Sequence, residues 1–109
     1  MTKTSPATSP EISADLATID VLTVLHALSD PVRLEIVRQL AAGPCSCGQL
    51  VIPVAKSTGS HHLKTLARAG ITGEREEGTS KFLRLRCAEL EERFPGLLES
   101  VLRADVRSG

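Results

Sequence analysis

The chain has 109 residues, enough for one compact domain with a single core, and only two of them are aromatic. Its 13 lysines and arginines balance its 13 acids, so the formal net charge at pH 7 is zero. No apolar run approaches the roughly 20 residues that a membrane span requires, and no signal peptide is found, which predicts a cytoplasmic protein. Neither a glycine-rich phosphate loop nor a nucleophile elbow occurs, so the sequence does not predict an enzyme.

The N-terminal part predicts a tail followed by two helices. Residues 1–14 are rich in Ser, Thr and Pro and contain no apolar run, which indicates a flexible tail before a folded domain at 15–109. Apolar residues then recur at helical spacing over about residues 16–28. A second helix begins at Ser29-Asp30-Pro31, where a capping side chain precedes a proline at the first helical position, and Gly43-Pro44 ends it.

After a short segment that predicts one or two more helical turns (residues 45–54), residues 56–70 carry the clearest pattern in the chain. Read at helical pitch, they place a polar stripe beside an apolar stripe. The polar stripe consists of Ser57, Ser60, His61, Lys64 and Arg68, and the apolar stripe of Gly59, Leu63, Leu66 and Gly70. No carboxylate occurs between Lys56 and Gly73, so the polar stripe offers hydrogen-bond donors and positive charge but no negative charge. Such a face suits a polyanion and is typical of a helix that reads the major groove of DNA.

Two strands are predicted after the basic helix. Residues 74–76 and 81–85 flank a Gly78-Thr79-Ser80 turn, and the alternation places Arg84 and Arg86 on one face of the second strand. Residues 56–86 hold seven cations against three acids, a balance of +4 in a chain of zero net charge. Helix, short helix, basic helix and basic hairpin are the order of a winged helix-turn-helix domain. With a last helix after Pro95-Gly96, the predicted fold is mainly α with a small β-hairpin, in the order α-α-α-α-β-β-α.

Three parts of the chain resemble the ArsR family of bacterial winged-helix transcriptional repressors. They are A-L-S-D-P-V-R-L-E-I-V-R-Q-L at residues 27–40, S-T-G-S-H-H-L-K-T-L-A-R-A-G-I at residues 57–71, and the hairpin that follows. Two positions depart from the family pattern, because Gly59 replaces a branched apolar residue and Ala55 replaces a capping serine. The resemblance implies a homodimer, joined through the first and last helices, that occupies an inverted-repeat operator and represses transcription.

The residues that contact DNA are predicted from the polar stripe and the hairpin. Lys56, Ser57, Thr58, Ser60, His61, Lys64 and Arg68 are expected to face the major groove or its phosphates, and Arg75 and Lys81 to follow the adjacent backbone or minor groove. His62 turns toward the core and is expected to anchor the helix by a hydrogen bond. The alternative is a winged-helix module that binds a partner other than operator DNA, and such a module would be expected to have lost these positive residues.

The three cysteines leave several kinds of signal open. Cys45 and Cys47 form a C-x-C pair at a predicted helix start, where the helix dipole is expected to lower their pKa values, and Cys87 follows the hairpin. A reducing cytoplasm disfavours a disulfide, so the alternatives are a soft metal or metalloid site formed by all three, a thiol redox switch, or cysteines that only pack. Metal-sensing relatives carry C-V-C-D-L at this position, but Gly48 replaces the aspartate here.

Overall fold

The computed structural model describes residues 10–105, which form five α-helices and three short β-strands. The elements are α1 (Val21–Leu28), α2 (Pro31–Ala41), β1 (Cys45–Ser46), α3 (Lys56–Arg68), β2 (Thr72–Glu77), β3 (Ser80–Leu85), α4 (Cys87–Arg93) and α5 (Leu97–Asp105). Single 3-10 turns occupy Leu16–Thr18 and Cys47–Gln49. Within this part of the chain, no helix has the length and apolar character needed to cross a membrane.

Aspartates begin the first two helices. Asp20 accepts a hydrogen bond from the N–H of Leu22 at α1 (3.2 Å), and Asp30 accepts from the N–H groups of Val32 and Arg33 at α2 (2.8 and 3.0 Å). Although burial raises the pKa of Asp30, these two N–H groups hold it below its ordinary value. A proline occupies the first position of α2. The start of the second helix is therefore confirmed as predicted.

Residues 45–54, predicted to add helical turns, instead form β1, one 3-10 turn and a loop. β1 pairs antiparallel with β3, which places Cys45 opposite Leu83. The side chain of Gln39 on α2 holds the loop, because it donates to the carbonyl of Val51 (2.8 Å) and accepts from its N–H (3.0 Å). A strand of two residues is too short for alternation in the sequence to reveal it, so the predicted two-stranded hairpin becomes a three-stranded sheet in the order β1-β3-β2.

β2 and β3 form the predicted hairpin, which we call the wing (residues 72–85). Glu77 lies opposite Ser80, so Gly78 and Thr79 alone make the turn. The φ angle of Gly78 is 63°, a left-handed conformation that glycine adopts without steric cost. Beyond the wing, α5 is the last helix predicted after Pro95-Gly96, and α4 is an additional helix that the sequence analysis did not predict. The winged helix-turn-helix fold is confirmed, but its order is α-α-β-α-β-β-α-α.

One hydrophobic core joins the helices and the sheet. Its most deeply buried side chains are Val24 of α1, Ile36 and Val37 of α2, Leu66 of α3 and the following Ile71. Leu90 of α4 and Leu98 of α5 close it from the C-terminal side. Leu98 lies on the last helix, through which the family resemblance implies dimerisation. It is only 8% exposed, so it belongs to the core of a single chain.

The first described residues lie against the edge of the wing. Ile12 and Glu74 exchange two backbone hydrogen bonds (2.7 and 2.9 Å), and Arg86 donates to the carbonyl of Ala14 (2.8 Å). Described contacts therefore extend to residues before 15, where the sequence placed the boundary of the tail. Residues 1–9 of that tail lie outside the described part of the chain.

The two arginines predicted to share the outer face of β3 have structural contacts. The Arg84 guanidinium donates to both carboxylate oxygens of Glu11 (2.8 and 2.9 Å) and also to Glu89. Glu11 crosses over Gly73 to reach it, where a Cβ would collide with the carboxylate. Arg86 is buried and donates to backbone carbonyls. Neither arginine is free to meet a phosphate.

Candidate nucleic-acid interface

The polar and apolar stripes of α3 face opposite environments, as the sequence predicted. The seven residues predicted to meet DNA are all exposed: Lys56, Ser57, Thr58, Ser60, His61, Lys64 and Arg68. On the opposite face, Gly59, His62 and Leu66 are buried. The structure therefore presents the predicted contact residues together on one open surface of one helix.

The first turn of α3 has no side-chain cap. Ala55 occupies the N-cap position and cannot accept a hydrogen bond, and no acidic residue lies in the first turn. Gly59 follows in the second turn, where a Cβ would lie 3.4 Å from Ile52 and 3.9 Å from Val54. The ArsR-family pattern has a branched residue at this position. In this chain, Ile52 and Val54 of the preceding loop occupy the space beside Gly59. The uncapped N–H groups of the first turn remain available to an anion.

The inner face of α3 is anchored by one polar contact as well as by apolar packing. His62 is 9% exposed, and its Nδ1 lies 3.1 Å from Nη1 of Arg33 on α2. The predicted hydrogen bond of His62 is therefore present. Sequence reasoning missed its partner, although Arg33 shares the buried face of α2 with Ile36 and Val37. An arginine at a core-facing helical position was the available signal.

The wing does not present the free positive charge that the sequence suggested. The Arg75 guanidinium donates to Glu77 through two nitrogens (2.8 and 3.1 Å), and Nζ of Lys81 lies 3.4 Å from the carboxylate of Glu74. Both cations are about half exposed, so each remains accessible but paired. Glu76 is exposed beside them. The tip of the wing therefore carries three acids against two cations.

Charge is distributed unevenly over the described residues. Between residues 10 and 105, the cations with an acidic or carbonyl partner are Arg33, Arg38, Arg75, Lys81, Arg84, Arg86, Arg93 and Arg103. In the same range, the cations with no such partner are Lys56, Lys64 and Arg68. All three are exposed residues of α3. The unopposed positive charge of this part of the chain is therefore confined to one helix.

The cysteines do not form the predicted three-thiolate site within one chain. Cys45 and Cys47 are half-buried beside the sheet, whereas Cys87 is exposed at the first position of α4. Within residues 10–105, no three His, Cys, Asp or Glu side chains are grouped so that they could hold a metal ion. Burial also raises the pKa of the Cys47 thiol, which is the opposite of the shift expected from a helix dipole. The 3-10 turn at this position is too short to supply that dipole.

Cys47 lines a groove on the DNA side of the fold. The groove lies between the 3-10 turn, α3 and the wing, and its polar lining includes Ser60, Lys64 and Lys81. Its floor is formed by Leu63 and by a leucine of β3. Two ammonium groups and several hydroxyls thus converge beside the exposed stripe of α3. The carboxylate of Glu74 also lines the groove and lies 3.4 Å from Nζ of Lys81, so Lys64 is the lining cation without an acidic partner among the described residues.

Comparison with known proteins agrees with this geometry. A family model described as a helix-turn-helix domain matches residues 28–72. The HTH-type transcriptional regulator YceK of Bacillus subtilis (strain 168) is 37% identical over 82 residues, which cover 72% of this chain and 82% of the relative.

Two solved structures are similar over most of the fold. The transcriptional repressor BigR from Xylella fastidiosa has a TM-score of 0.64 and 30% identity, with 81% of this chain and 88% of that chain covered. Reduced HlyU from Vibrio cholerae N16961 has a TM-score of 0.65 and 26% identity, with 80% and 90% covered. These relatives confirm the prediction of a regulator rather than an enzyme. The chain therefore belongs to the helix-turn-helix transcriptional regulators, with the winged-helix fold of the ArsR type.

Proposed function

We propose that this protein is a transcriptional repressor that binds an inverted-repeat operator as a homodimer. The observation that carries the proposal is the distribution of unpaired charge: within residues 10–105, every cation without an acidic or carbonyl partner lies on the exposed face of α3. A helix face that offers hydrogen-bonding groups and positive charge but no negative charge complements the phosphates and base edges of a major groove. The similarity of the fold to that of the transcriptional repressor BigR supports the repressor role.

The side chains of α3 divide the work of binding by their chemistry. Ser60 and His61 lie in the middle of the exposed stripe and are the proposed base-reading residues, because both can donate to and accept from base edges. Lys56, Lys64 and Arg68 are the proposed phosphate contacts. The uncapped N–H groups of the first turn would donate to a further phosphate, since the helix dipole favours an anion there.

A homodimer is proposed because apolar side chains of α1 remain uncovered in the single chain. Leu22 is 67% exposed, Leu25 41% and Val21 37%, and they share one helix surface. Val101 and Leu102 of α5 are only partly buried. Two copies that pack through α1 and α5 would cover these side chains and present two α3 helices to half-sites about one DNA turn apart, about 34–36 Å.

Operator binding is tested with duplexes from the DNA upstream of the protein's own gene. Ser60→Ala and His61→Ala should each weaken binding and reduce the preference for operator over scrambled DNA. Ser13→Ala is the matched control, because Ser13 is an exposed serine outside α3 and the wing. Wild-type protein that binds neither duplex would contradict the proposal and favour a module that binds a different partner.

Assembly is tested by sedimentation of Leu22→Glu. A carboxylate at this exposed position should leave the core of the single chain intact but place charge in the proposed interface. We expect folded monomers with much weaker operator binding. A wild-type protein that is monomeric at micromolar concentration would show that the exposed face of α1 has another role.

A further inference from the structure

The two sequence strings that carry the family resemblance meet at one buried cluster. Asp30 and Arg33 come from the first string, at the start of α2, and His62 comes from the second, on the inner face of α3. Arg33 is 8% exposed and His62 is 9% exposed. His62 faces away from the proposed DNA surface, so base or phosphate contact does not account for it.

Arg33 ties three helices together through its guanidinium. Its Nε donates to the carbonyl of Ala27 (2.7 Å) and its Nη2 to the carbonyl of His26 (3.3 Å), both in the last turn of α1. Its Nη1 meets Nδ1 of His62 on α3 at 3.1 Å. Because all three guanidinium nitrogens of this buried arginine have partners, its side chain is held in one orientation. The guanidinium in turn fixes the orientation of the His62 ring that it contacts.

This contact requires one protonation state of His62. A guanidinium can only donate, so Nδ1 must accept, and the ring is neutral with its proton on Nε2. The nearest acid is Asp30, whose carboxylate is 3.8 Å from Nδ1 and already accepts from two N–H groups of α2. The ring of His61 lies 6.0 Å away. A protonated Nδ1 would point a second donor at Arg33 and break the link.

The link matters because it adds a directional contact to the apolar packing that holds the N-terminal half of α3. Its first turn has no side-chain cap, Gly59 contributes no side chain, and Leu63 and Leu66 make apolar contacts without directional preference. Within residues 10–105, the bond between Arg33 and His62 is the side-chain hydrogen bond that joins this half to the body, and the carboxylate of Asp30 lies beside the same ring nitrogen at 3.8 Å. Rotation about the helix axis would move Ser60 and His61 out of register with the bases.

We propose that Arg33 and neutral His62 are positioning residues that hold α3 in the orientation required for operator binding. The inference rests on the proposed DNA-binding function. If the link is lost, α3 samples other orientations. The apparent affinity for operator DNA then decreases in proportion to the fraction of molecules that keep the competent orientation. Acidification that protonates His62 should have the same effect as removing its acceptor.

A matched pair of substitutions separates the acceptor from the bulk of the ring. In His62→Asn the side-chain oxygen can replace Nδ1 as an acceptor, whereas His62→Leu fills similar space without one. Relative to wild type, operator affinity should change by less than about threefold in His62→Asn and fall by about tenfold or more in His62→Leu. Each variant is compared at conditions where denaturation curves show it fully folded. Loss of affinity below the pH at which His62 protonates should be seen in wild type and absent in His62→Asn.

Two further measurements do not depend on DNA. Nitrogen-15 spectra of the wild type should show His62 protonated at Nε2 and not at Nδ1. Hydrogen exchange in His62→Leu should accelerate at residues 57–62 and remain unchanged at the C-terminal end of α3. These results would support the positioning role even if the wild type bound no DNA, an outcome that would refute only the proposed function.

The inference is overturned if folded His62→Leu binds operator as tightly as wild type. A wild-type ring protonated at Nδ1 would overturn it as well. If His62→Leu does not fold, the comparison of pH profiles between wild type and His62→Asn decides the question. Identical profiles would show that protonation of His62 does not govern the orientation of α3.

Discussion

Removing Lys64 should weaken binding to every DNA sequence and flatten its salt dependence, whereas removing Arg75 should have a much smaller effect. Lys64 is exposed on α3 with no partner in the described part of the chain. The Arg75 guanidinium instead donates twice to Glu77 on the wing. A cation that already has a carboxylate must give up that contact to bind a phosphate, so its net contribution to DNA binding is reduced.

The size of the effect follows from the count of unpaired cations. Three such cations on each α3 give six in a dimer, which corresponds to a slope of log K against log salt of about −5. Lys64→Ala removes two of the six and should flatten the slope by about 2 units. For Arg75→Ala we expect a change below about 0.5 units, because the pair with Glu77 withholds the guanidinium from DNA.

The assay is fluorescence anisotropy with operator and scrambled duplexes between about 50 and 200 mM salt. Glu77→Gln provides the complementary variant, since it releases Arg75 from its acid and should strengthen binding to both duplexes. The reasoning is refuted if Arg75→Ala flattens the slope as much as Lys64→Ala. That result would mean that the ion pairs of the wing open on DNA and that the wing contacts phosphates directly.

Three further predictions concern the free protein. Gly59→Ala should raise the free energy of unfolding by about 1 kcal/mol in urea denaturation, because the new Cβ makes ordinary contact with Ile52. Gly70→Ala should lower the free energy of unfolding, because Gly70 has a φ of 78° and its Cβ would collide with Leu16. Hydrogen bonds from Arg84 lower the pKa values of Glu11 and Glu89 below their ordinary value of 4.5. The two carboxylates therefore stabilise the fold above that pH, and this stabilisation is lost as the pH falls through the lowered values. Acid titration of Arg84→Gln should lack this loss of stability. In alkylation followed by mass spectrometry at neutral pH, the exposed Cys87 should react before Cys47, because burial raises the pKa of the Cys47 thiol. The reverse order of reaction would contradict the burial of Cys47.

The helical parts of the fold were predictable because helix signals are local. The capping aspartate and proline at the start of α2, and the periodicity of α3, both lie within a few residues of the structure that they specify. Helix α4, between the wing and Pro95, was not predicted, and strand β1 was not predictable on this basis. The two residues of β1 form a strand only because β3 lies beside them, and that partner is nearly 40 residues away in the sequence.

The candidate site shows the same division between local and distant information. Which residues of α3 are exposed followed from helical pitch, and the structure agrees for all seven. The state of the wing cations did not follow, because the pairing of Lys81 with Glu74 depends on the register of two strands. Counting charges over residues 56–86 therefore overstated the positive surface of the wing.

A chain of zero net charge can bind a polyanion because its fold assigns its acids to particular cations. Glu11 and Glu89 hold Arg84, Glu77 holds Arg75, and other arginines are occupied by backbone carbonyls. Those contacts stabilise the single chain and remove the same arginines from the DNA surface. Since α3 contains no carboxylate, its cations have no local acid to pair with, and the body does not bring one to them. The positive surface thus lies where no acid is close to the cations. The total charge of the chain cannot reveal this distribution.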